Sequence, residues 1–580
     1  MDQQQKARQA LAHYFGEIYA DIRDDLDPVV EYRSLHAGEV LFERGDEAND
    51  MYFLLLGKLR ATGSNDSGKT IVLGDILHGE SVGEMGLLNN GKRNATVTAM
   101  RHSLVAHIGR ESFEKLYSKH PKVLLRTSQT VIDRLNLANE RAGGGSVQED
   151  KVISLIDATN DSTCTTFTDQ MLDHMCKDGS TVHLNESDKN ELESLISAQE
   201  REYPFIALRG NDPEWISEAV SLSDSLVFIC REHDLETFLE LKEKLGISDT
   251  QWELADRQLV LVYEGDDHPH EVSQWFKHFD PEQILKAREL NRKDVDRASR
   301  MIRDRGIGLV LGGGGAHGFA HLGVIKALEE RDIPIDFVCG SSVGAIMGAG
   351  VAMDWPMDEI MSKVRTEISE DNPLNDYTVP MIALLKGERM LMKLKKHFDQ
   401  NIEQTWVNFM CIASDYQNGQ IQLLDTGSMY KSISASISIP GVLPPSILND
   451  HFVLDGGVLD NVPVGSLRKK FKGRIVTSDL SVIKEYNVQD ERLPSGTKVF
   501  LNRLNPFAKK LRTPRLMNVI MKSMTLGSIN RKEQNKSMSD LYINSQVQKG
   551  FLAWKEFDAI VDAGYKRARE ILDESEFKVQ

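Results

Sequence analysis

Three textures of apolar and polar positions follow one another along the chain. Up to about residue 140 the apolar runs are short and alternate with polar residues (EVLFERG, MYFLLLGKLRAT, KTIVLGDIL, TVTAMRHSLVAHIG), and Gly, Asn and Asp turns separate them. This spacing predicts a β-barrel or jelly roll with flanking helices. From 151 to about 280 the runs KVISLID, STVHLN, PFIALRG, SLVFIC and RQLVLVY are separated by helical patterns, which predicts an α/β domain. A second α/β pattern runs from Gly306 to about 485, and a mixed region ends in the helix-like DAIVDAGYKRAREILDE.

The breaks between textures set the expected organisation. ANERAGGGSVQED, residues 138 to 150, is a glycine-serine break after a charged helical pattern, so a first domain over 1–140 and a linker over 141–150 are expected. An α/β middle domain then occupies 151–280. EQILKARELNRKDVDRASRMIRDR is highly charged with helical spacing and reads as a solvated connecting helix over 281–305. The second α/β domain takes 306–485, with a helical extension over 486–580. The fold class is thus multidomain.

Composition narrows the partners. A chain of 580 residues needs several hydrophobic cores. Its net charge of −18 argues against nucleic-acid binding through a basic surface. Cys164, Cys176, Cys230, Cys339 and Cys411 are scattered without a C-x-x-C, which suits a reducing compartment and neither a disulfide framework nor a zinc site. The N-terminus lacks the apolar core of a secretory signal, and the most apolar run, SSVGAIMGAGVAM, is broken by glycines and too short for a span of about 20 residues. A cytoplasmic protein with at most peripheral membrane contact is expected.

The candidate chemistry begins at GIGLVLGGGGAHGFAHLGVIKALEE, residues 306 to 330, where a buried-strand pattern runs into four glycines and then a helix. Gly313, Gly315 and Gly318 fit G-x-G-x-x-G, a dinucleotide loop. That fold wants an acidic residue at the end of the next strand, but IPIDFVCG ends in Cys339 and Gly340, with Asp336 early in it. The chain continues instead through Gly340-Ser341-Ser342-Val343-Gly344, a G-x-S-x-G between a strand and a small-residue helix. Gly340 and Gly344 permit the tight turn that presents a serine hydroxyl at a helix N-terminus. Ser342 then reads as a nucleophile, and the N–H groups of Gly312, Gly313, Gly314 and Gly315 as donors to a developing oxyanion.

Such a serine needs a base. Only His397 and His451 lie downstream, and no histidine follows His451, so an acid near Asp455 with a later histidine is excluded. FVLDGGVLDNVP delivers Asp455 into Gly456-Gly457 at a strand end, where it can take the serine proton directly. A Ser342–Asp455 dyad is the leading reading, and a triad of Ser342, Asp415 and His451 stays open. His317 and His321 are expected to pack near the loop, and Asp460 to cap the following turn.

These residues resemble the patatin-like phospholipase family, whose members use a Ser–Asp dyad, a glycine-rich oxyanion loop and a D-G-[AG] motif. LGGGGAHGFAHLGV, GSSVGA, ASISIPGVLPP and DGG stand in family order over roughly residues 305 to 470. One departure is His317, where the family often has arginine.

In the first domain GSNDSGKT, residues 63 to 70, fits the Walker A pattern, but TIVLGDIL after it is β-branched and short, so a hairpin turn is expected instead of a phosphate loop. VGEMGLLNNGKRNATVTA, residues 82 to 99, sets Glu84 and Arg93 at the two ends of a glycine-flanked turn, able to grip a ribose hydroxyl and a phosphodiester. This stretch, with HAGEVLFERGDEANDMYFLLLGKL, resembles cyclic nucleotide-binding domains over about residues 12 to 140. The resemblance implies a site of Gly83, Glu84, Arg93 and Asn94 for cAMP or cGMP. Family members often have Pro-Arg-Ala where this chain has Lys92-Arg93-Asn94.

The whole order is similar to the neuropathy target esterase and lysophospholipase family. That similarity implies hydrolysis of a phospholipid or lysophospholipid through an acyl-Ser342 intermediate, without a metal or catalytic cofactor, under cyclic-nucleotide regulation. A nucleotide-sensing scaffold with an inactive hydrolase domain is the alternative. The middle domain has no glycine-rich loop with lysine and is assigned no chemistry. Two basic clusters, RKKFKGR (468–474) and KKLRTPR (509–515), the second followed by LMNVIMKSMTL, read as a membrane-facing element or as a solvated face beside an ordinary core helix.

Overall fold

A computed structural model describes residues 3–575 and 577, less 65–69, 89–90, 143–150, 160, 201, 482–493, 505–518, 521, 524–525 and 527–529. The chain divides into two compact units, residues 1–266 with 274–303, and 267–273 with 304–580. The bulk of the expected linker, and the KKLRTPR cluster, lie outside the described residues.

The first unit opens with helices Gln3–Phe15 and Tyr19–Leu26 and eight short strands: β1 (Glu31–Leu35), β2 (Val40–Phe42), β3 (Asp50–Leu56), β4 (Leu59–Ser64), β5 (Thr70–Ile76), β6 (Ser81–Val82), β7 (Thr96–Ala99) and β8 (Ser103–Gly109). They form two four-stranded antiparallel sheets, β1-β8-β3-β6 and β2-β7-β4-β5. The sandwich explains why β3 is apolar at nearly every position. Tyr52 and Leu54 face the core between the sheets, while Met51, Phe53 and Leu55 alternate onto the opposite face and pack with Ala7, Leu11 and Phe15 of the first helix. The Walker-like segment joins β4 to antiparallel β5. A strand where a phosphate loop needs a helix N-terminus removes that reading, although residues 65–69 themselves lie outside the described residues.

The same unit continues as a wholly parallel six-stranded sheet of β9 (Lys151–Asp157), β10 (Thr181–Leu184), β11 (Phe205–Arg209), β12 (Ser225–Arg231), β13 (Asp256–Tyr263) and β14 (Ile284–Arg288), in the order β10-β11-β9-β12-β13-β14. Covered faces account for its unbroken apolar runs. One core joins sandwich and sheet: Leu104, Phe113 and Val123 pack with Val152, Ile206 and Trp215. The buried Arg101 reinforces the join, donating to the carbonyl of Leu222 at 2.8 Å and pairing with Glu200.

The expected solvated helix over 281–305 is corrected. Its start is β14, the sheet's last strand, and the helix Arg292–Ile302 buries Asp294, Val295, Arg297, Ala298 and Ile302. The charge is internal: Asp294 accepts from Arg288 at 2.6 Å and from Arg297 at 2.7 Å, so these ionic positions face protein, not water.

The second unit is built on an eight-stranded mixed sheet of β15 (Ile307–Leu311), β16 (Phe337–Gly340), β17 (Asn408–Asp415), β18 (Ile421–Leu424), β19 (Ser446–Leu448), β20 (His451–Asp455), β21 (Arg474–Asp479) and β22 (Leu541–Asn544). The order is β19-β20-β17-β16-β15-β21-β22, with β18 also on β17. β17, β16, β15, β21 and β22 run parallel, and the β18, β19 and β20 pairings are antiparallel. The C-terminal region is therefore not only helical: β22 joins the sheet beside β21, and the helix Phe557–Glu574 adds Phe557, Ile560 and Val561 to the core around Phe319 and Val324.

Candidate active site

Strands β15 and β16 are parallel neighbours, and both candidate loops leave their C-terminal ends, where open α/β sheets gather ligands. The chain leaves β16 at Gly340, turns through Ser341 and Ser342, and enters the helix Val343–Ala352. Ser342 sits at φ 54°, a strained conformation for a residue with a Cβ that costs on the order of 1–3 kcal/mol. Its neighbours explain the G-x-S-x-G spacing: a Cβ at Gly344 would run into the carbonyl oxygen of Leu311, and one at Gly340 into the backbone of Ala345. The helix behind the serine is small-residue and buried throughout nearly its length, so the turn is braced by the core.

Asp455 closes β20. This strand pairs with β17, which pairs with β16, so the sheet brings the two strand ends together. The Ser342 hydroxyl donates to Asp455 Oδ2 at 2.7 Å, and the Gly457 N–H donates to Oδ1 at 2.7 Å. Asp455 is completely buried, and burial pushes its carboxyl up to about 7, with the bonds from Ser342 and Gly457 opposing the rise. A carboxyl poised near neutrality beside a hydroxyl can serve as a general base at ordinary pH.

The segment ASISIPGVLPP holds both groups. Ser436 Oγ accepts from the Ser342 N–H at 3.0 Å, its carbonyl accepts from the Gly456 N–H at 3.2 Å, and the Ser438 carbonyl accepts from the Asp455 N–H at 2.9 Å. From sequence alone Ser436 and Ser438 have no assigned part in the site.

The glycine loop is narrower in use than expected. The Gly312 N–H donates to Ser478 O at 3.1 Å and the Gly313 N–H to Asn461 O at 3.0 Å, so both are already engaged. The N–H groups of Gly314 and Gly315 have no acceptor among the described residues, and Gly315 is left-handed at φ 56°. The loop lies against the serine: a Cβ on Gly313 would stand 3.0 Å from Ser342 Cβ and clash with Asn461. Gly318 packs where a Cβ would meet Val343, and Gly456 where one would meet Ile412 O at 2.5 Å. Asn461 Nδ2 also donates to Gly313 O at 3.1 Å, which ties the glycine loop to the segment that carries Asp455. Asn461 was missed in the sequence; its only signal there is its place six residues after Asp455.

The histidines divide as their surroundings dictate. His321 is fully buried between Gly312 O and Ser478 Oγ, each at 2.8 Å, and burial pushes it down to about 4. A carbonyl can only accept, so Nε2 carries the proton and Nδ1 accepts from Ser478. His317 contacts Lys549 O through Nε2 at 2.8 Å and stacks on Phe551. His451 and Asp415 do pair, at 2.8 Å, but Asp415 also accepts from the Gln417 and Asn418 N–H groups, and the serine bond goes to Asp455. Among the described residues no imidazole bonds to Ser342. Asp460 accepts from Ser466 at 3.2 Å, and burial pushes it up to about 6.

In the first unit, β6 runs into Gly83 at φ 93° and the helical turn Glu84–Leu88. Arg93 returns to this turn, donating to Gly83 O at 3.1 Å with its guanidinium 4.1 Å over the Phe42 ring, and Glu84 is buried beside it. Asn94 is exposed. A partner not anticipated is Arg134, on the helix Lys122–Ala142, which binds Glu84 Oε1 at 2.7 Å and the Ser81 carbonyl.

Family models match the segments that carry these residues. Residues 309–468 match the family of patatin-like phospholipases, and residues 32–120 match the cyclic nucleotide-binding domain. The chain therefore joins a cyclic nucleotide-binding jelly roll to a patatin-like phospholipase domain. Over most of its length it is similar to Lysophospholipase NTE1 of Candida albicans, 25% identical over 94% of this chain and 46% of that protein. It is likewise similar to Lysophospholipase nte1 of Aspergillus fumigatus, 25% identical over 94% of this chain and 42% of that one. The chain thus spans less than half the length of these curated relatives. Among solved structures, the Catabolite Activator Protein of Thermus thermophilus is 25% identical over 22% of this chain and 61% of that chain, with a TM-score of 0.21. No helix among the described residues is long and apolar enough to cross a membrane.

Proposed function

We propose that this chain is a serine lipid acyl hydrolase acting on phospholipids or lysophospholipids, with Ser342 as nucleophile and Asp455 as its only base, and that a cyclic nucleotide bound at Gly83, Glu84 and Arg93 regulates it. The observation that carries the reading is the 2.7 Å hydrogen bond from a strained elbow serine to a fully buried aspartate. The similarity to lysophospholipases supports the substrate class.

The chemistry follows from the arrangement. Ser342 Oγ attacks the acyl carbonyl carbon as its proton passes to Asp455 Oδ2. The carbonyl oxygen gains charge where the Gly314 and Gly315 N–H groups can meet it, held in place by the Asn461 and His321 contacts to the loop. Collapse expels the alcohol, which takes the proton from Asp455 and leaves an acyl-Ser342 ester. Water then gives a proton to Asp455, attacks that ester, and releases the fatty acid as the proton returns to Ser342.

The test is fatty-acid release from lysophosphatidylcholine by the full chain and by Ser342→Ala, with and without cAMP or cGMP. Release that is lost in Ser342→Ala supports the enzyme, and a change with nucleotide supports regulation. Absence of release with every glycerophospholipid and short-chain ester tried returns the chain to the scaffold reading.

A further inference from the structure

The second unit presents an apolar hairpin that the dyad does not use. Over residues 376–386 the Lys386 N–H donates to Asp376 O at 2.9 Å, Tyr377 and Leu385 are bridge partners, and the Thr378 N–H donates to Leu384 O at 3.1 Å. Its tip is Val379-Pro380-Met381-Ile382, and Val379, Met381 and Ile382 are 74%, 86% and 75% exposed. Its base is fixed. Ala383 and Leu385 are buried, and the N–H groups of Leu384 and Leu385 donate to Gly441 O and Val442 O, each at 3.0 Å. Gly441 and Val442 belong to the same turn whose Ser438 carbonyl holds Asp455. The apolar tip is thus two hydrogen-bonded steps from the base.

A second hairpin repeats the pattern. β19 and β20 turn through Asn449 and Asp450, both at positive φ, and Asp455 is the last residue of β20. Ile447 and Phe452 are cross-strand partners there, 66% and 47% exposed. Between the two hairpins lies a cavity of about 170 Å³ lined in part by Lys386, Leu391, Ile437, Ser438 and Ser446, so the end of one hairpin and the start of the other meet in its wall.

Contiguous exposed apolar groups of this kind mark a contact surface. We infer that the tip Val379–Ile382, together with Ile447 and Phe452, inserts into the acyl layer of a zwitterionic phospholipid surface and sets this cavity over the lipid. The inference rests on the hydrolase reading, which requires lipid at the mouth of this site. Charge selects a neutral surface. On the adjoining helix Glu388–His397, Arg389 pairs with Asp371, Lys393 with Glu367 and Asp371, and Lys396 with Glu367, while the chain as a whole carries −18. Of the other two lysines here, Lys395 lies over the Tyr430 ring and Lys386 has no acidic partner among the described residues, so with most cations occupied attachment is chiefly apolar and survives high salt.

The experiment is co-sedimentation of the full chain with phosphatidylcholine vesicles at 0.1 M and 1 M salt (about an ordinary and a strongly screening ionic strength), in the Ser342→Ala background so that the surface is not consumed. The expected result is binding at both salt concentrations and at least about tenfold weaker partition in Met381→Asp/Ile382→Asp. In the Ser342-intact chain the same double substitution leaves hydrolysis of a water-soluble short-chain ester within about twofold, which shows a folded protein. Equal partition of the double variant, no partition of the parent, or parent binding lost at 1 M salt each overturns the inference. So does a double variant that changes oligomeric mass while its partition stays the same, because the face then lies between copies. Soluble-ester hydrolysis without vesicle binding removes this surface and leaves the hydrolase. Vesicle binding without any hydrolysis removes the hydrolase and leaves the surface.

Discussion

Ser342 Oγ donates to Asp455 Oδ2 at 2.7 Å across a separation of 113 residues, with no third side chain between them. The bond exists because β17 sits between β16 and β20 and brings the ends of those strands together. Replacing either partner while keeping the shape, as in Ser342→Ala and Asp455→Asn, is expected to lower kcat on a soluble ester by at least about 10³-fold. Steady-state kinetics on both variants, with circular dichroism to verify the fold, check this.

The raised carboxyl of Asp455 fixes the sign of the pH dependence. In the proposed mechanism Asp455 is a base that works only when ionised, so kcat/KM is expected to climb about tenfold per pH unit below about 7 and level off above it. Stability runs the other way. The native state holds a proton on Asp455 that the unfolded chain releases near pH 4, so folding weakens as pH rises from about 4 through about 7. Asp455→Asn should therefore melt higher than the parent at pH 8, with a smaller gain at pH 5, in thermal scans of both proteins.

His321 is the nearest test of whether a histidine shares the work. It clamps Gly312 O and Ser478 and is neutral across the working range. His321→Leu leaves both partners buried without a bond, a cost of about 1–3 kcal/mol, and loosens the oxyanion loop. A loss of roughly tenfold in kcat is expected, with the apparent pKa near 7 unchanged in the pH–rate profile. Disappearance of that pKa would identify the imidazole as the base.

Much of this site was legible in the sequence because steric rules confined its glycines to a few positions. G-x-S-x-G and D-G-G mark places where backbone meets backbone, and Gly344 against Leu311 O shows why no other residue fits. The absence of histidine after His451 excluded a triad built on an acid near Asp455 and a later histidine, and left only the pair Asp415 and His451 to compete with Asp455. What stayed hidden depends on long-range pairing. Nothing local in SISIP announces that Ser436 accepts from Ser342, nor that Asn461 reaches Gly313. The glycine-loop reading gave all four amides one role, whereas Ser478 and Asn461 take two of them. Residues 281–305 misled for a related reason: charge at helical spacing is read as solvated, and only the fold reveals that Asp294 meets Arg288 and Arg297 inside.

The proposed nucleotide site makes a separate prediction. Arg93 holds Gly83 O and stacks on Phe42, while Arg134 binds Oε1 of Glu84. Arg93→Ala removes a charge-assisted partner for the cyclic phosphate and should weaken binding at least about tenfold. Arg134→Ala leaves the buried Glu84 carboxylate without the cation that holds its Oε1 and should weaken binding severalfold. Titration calorimetry with cAMP and cGMP reads both.

The central claim is that Ser342 is a nucleophile activated by Asp455 alone, and covalent labelling by a fluorophosphonate ester followed by peptide mass analysis addresses it most directly. The expected result is one adduct, on Ser342, lost in Ser342→Ala, strongly slowed in Asp455→Asn, and retained in His451→Ala and His321→Leu. Labelling that survives Asp455→Asn but vanishes in either histidine variant, or an adduct on another residue, contradicts it.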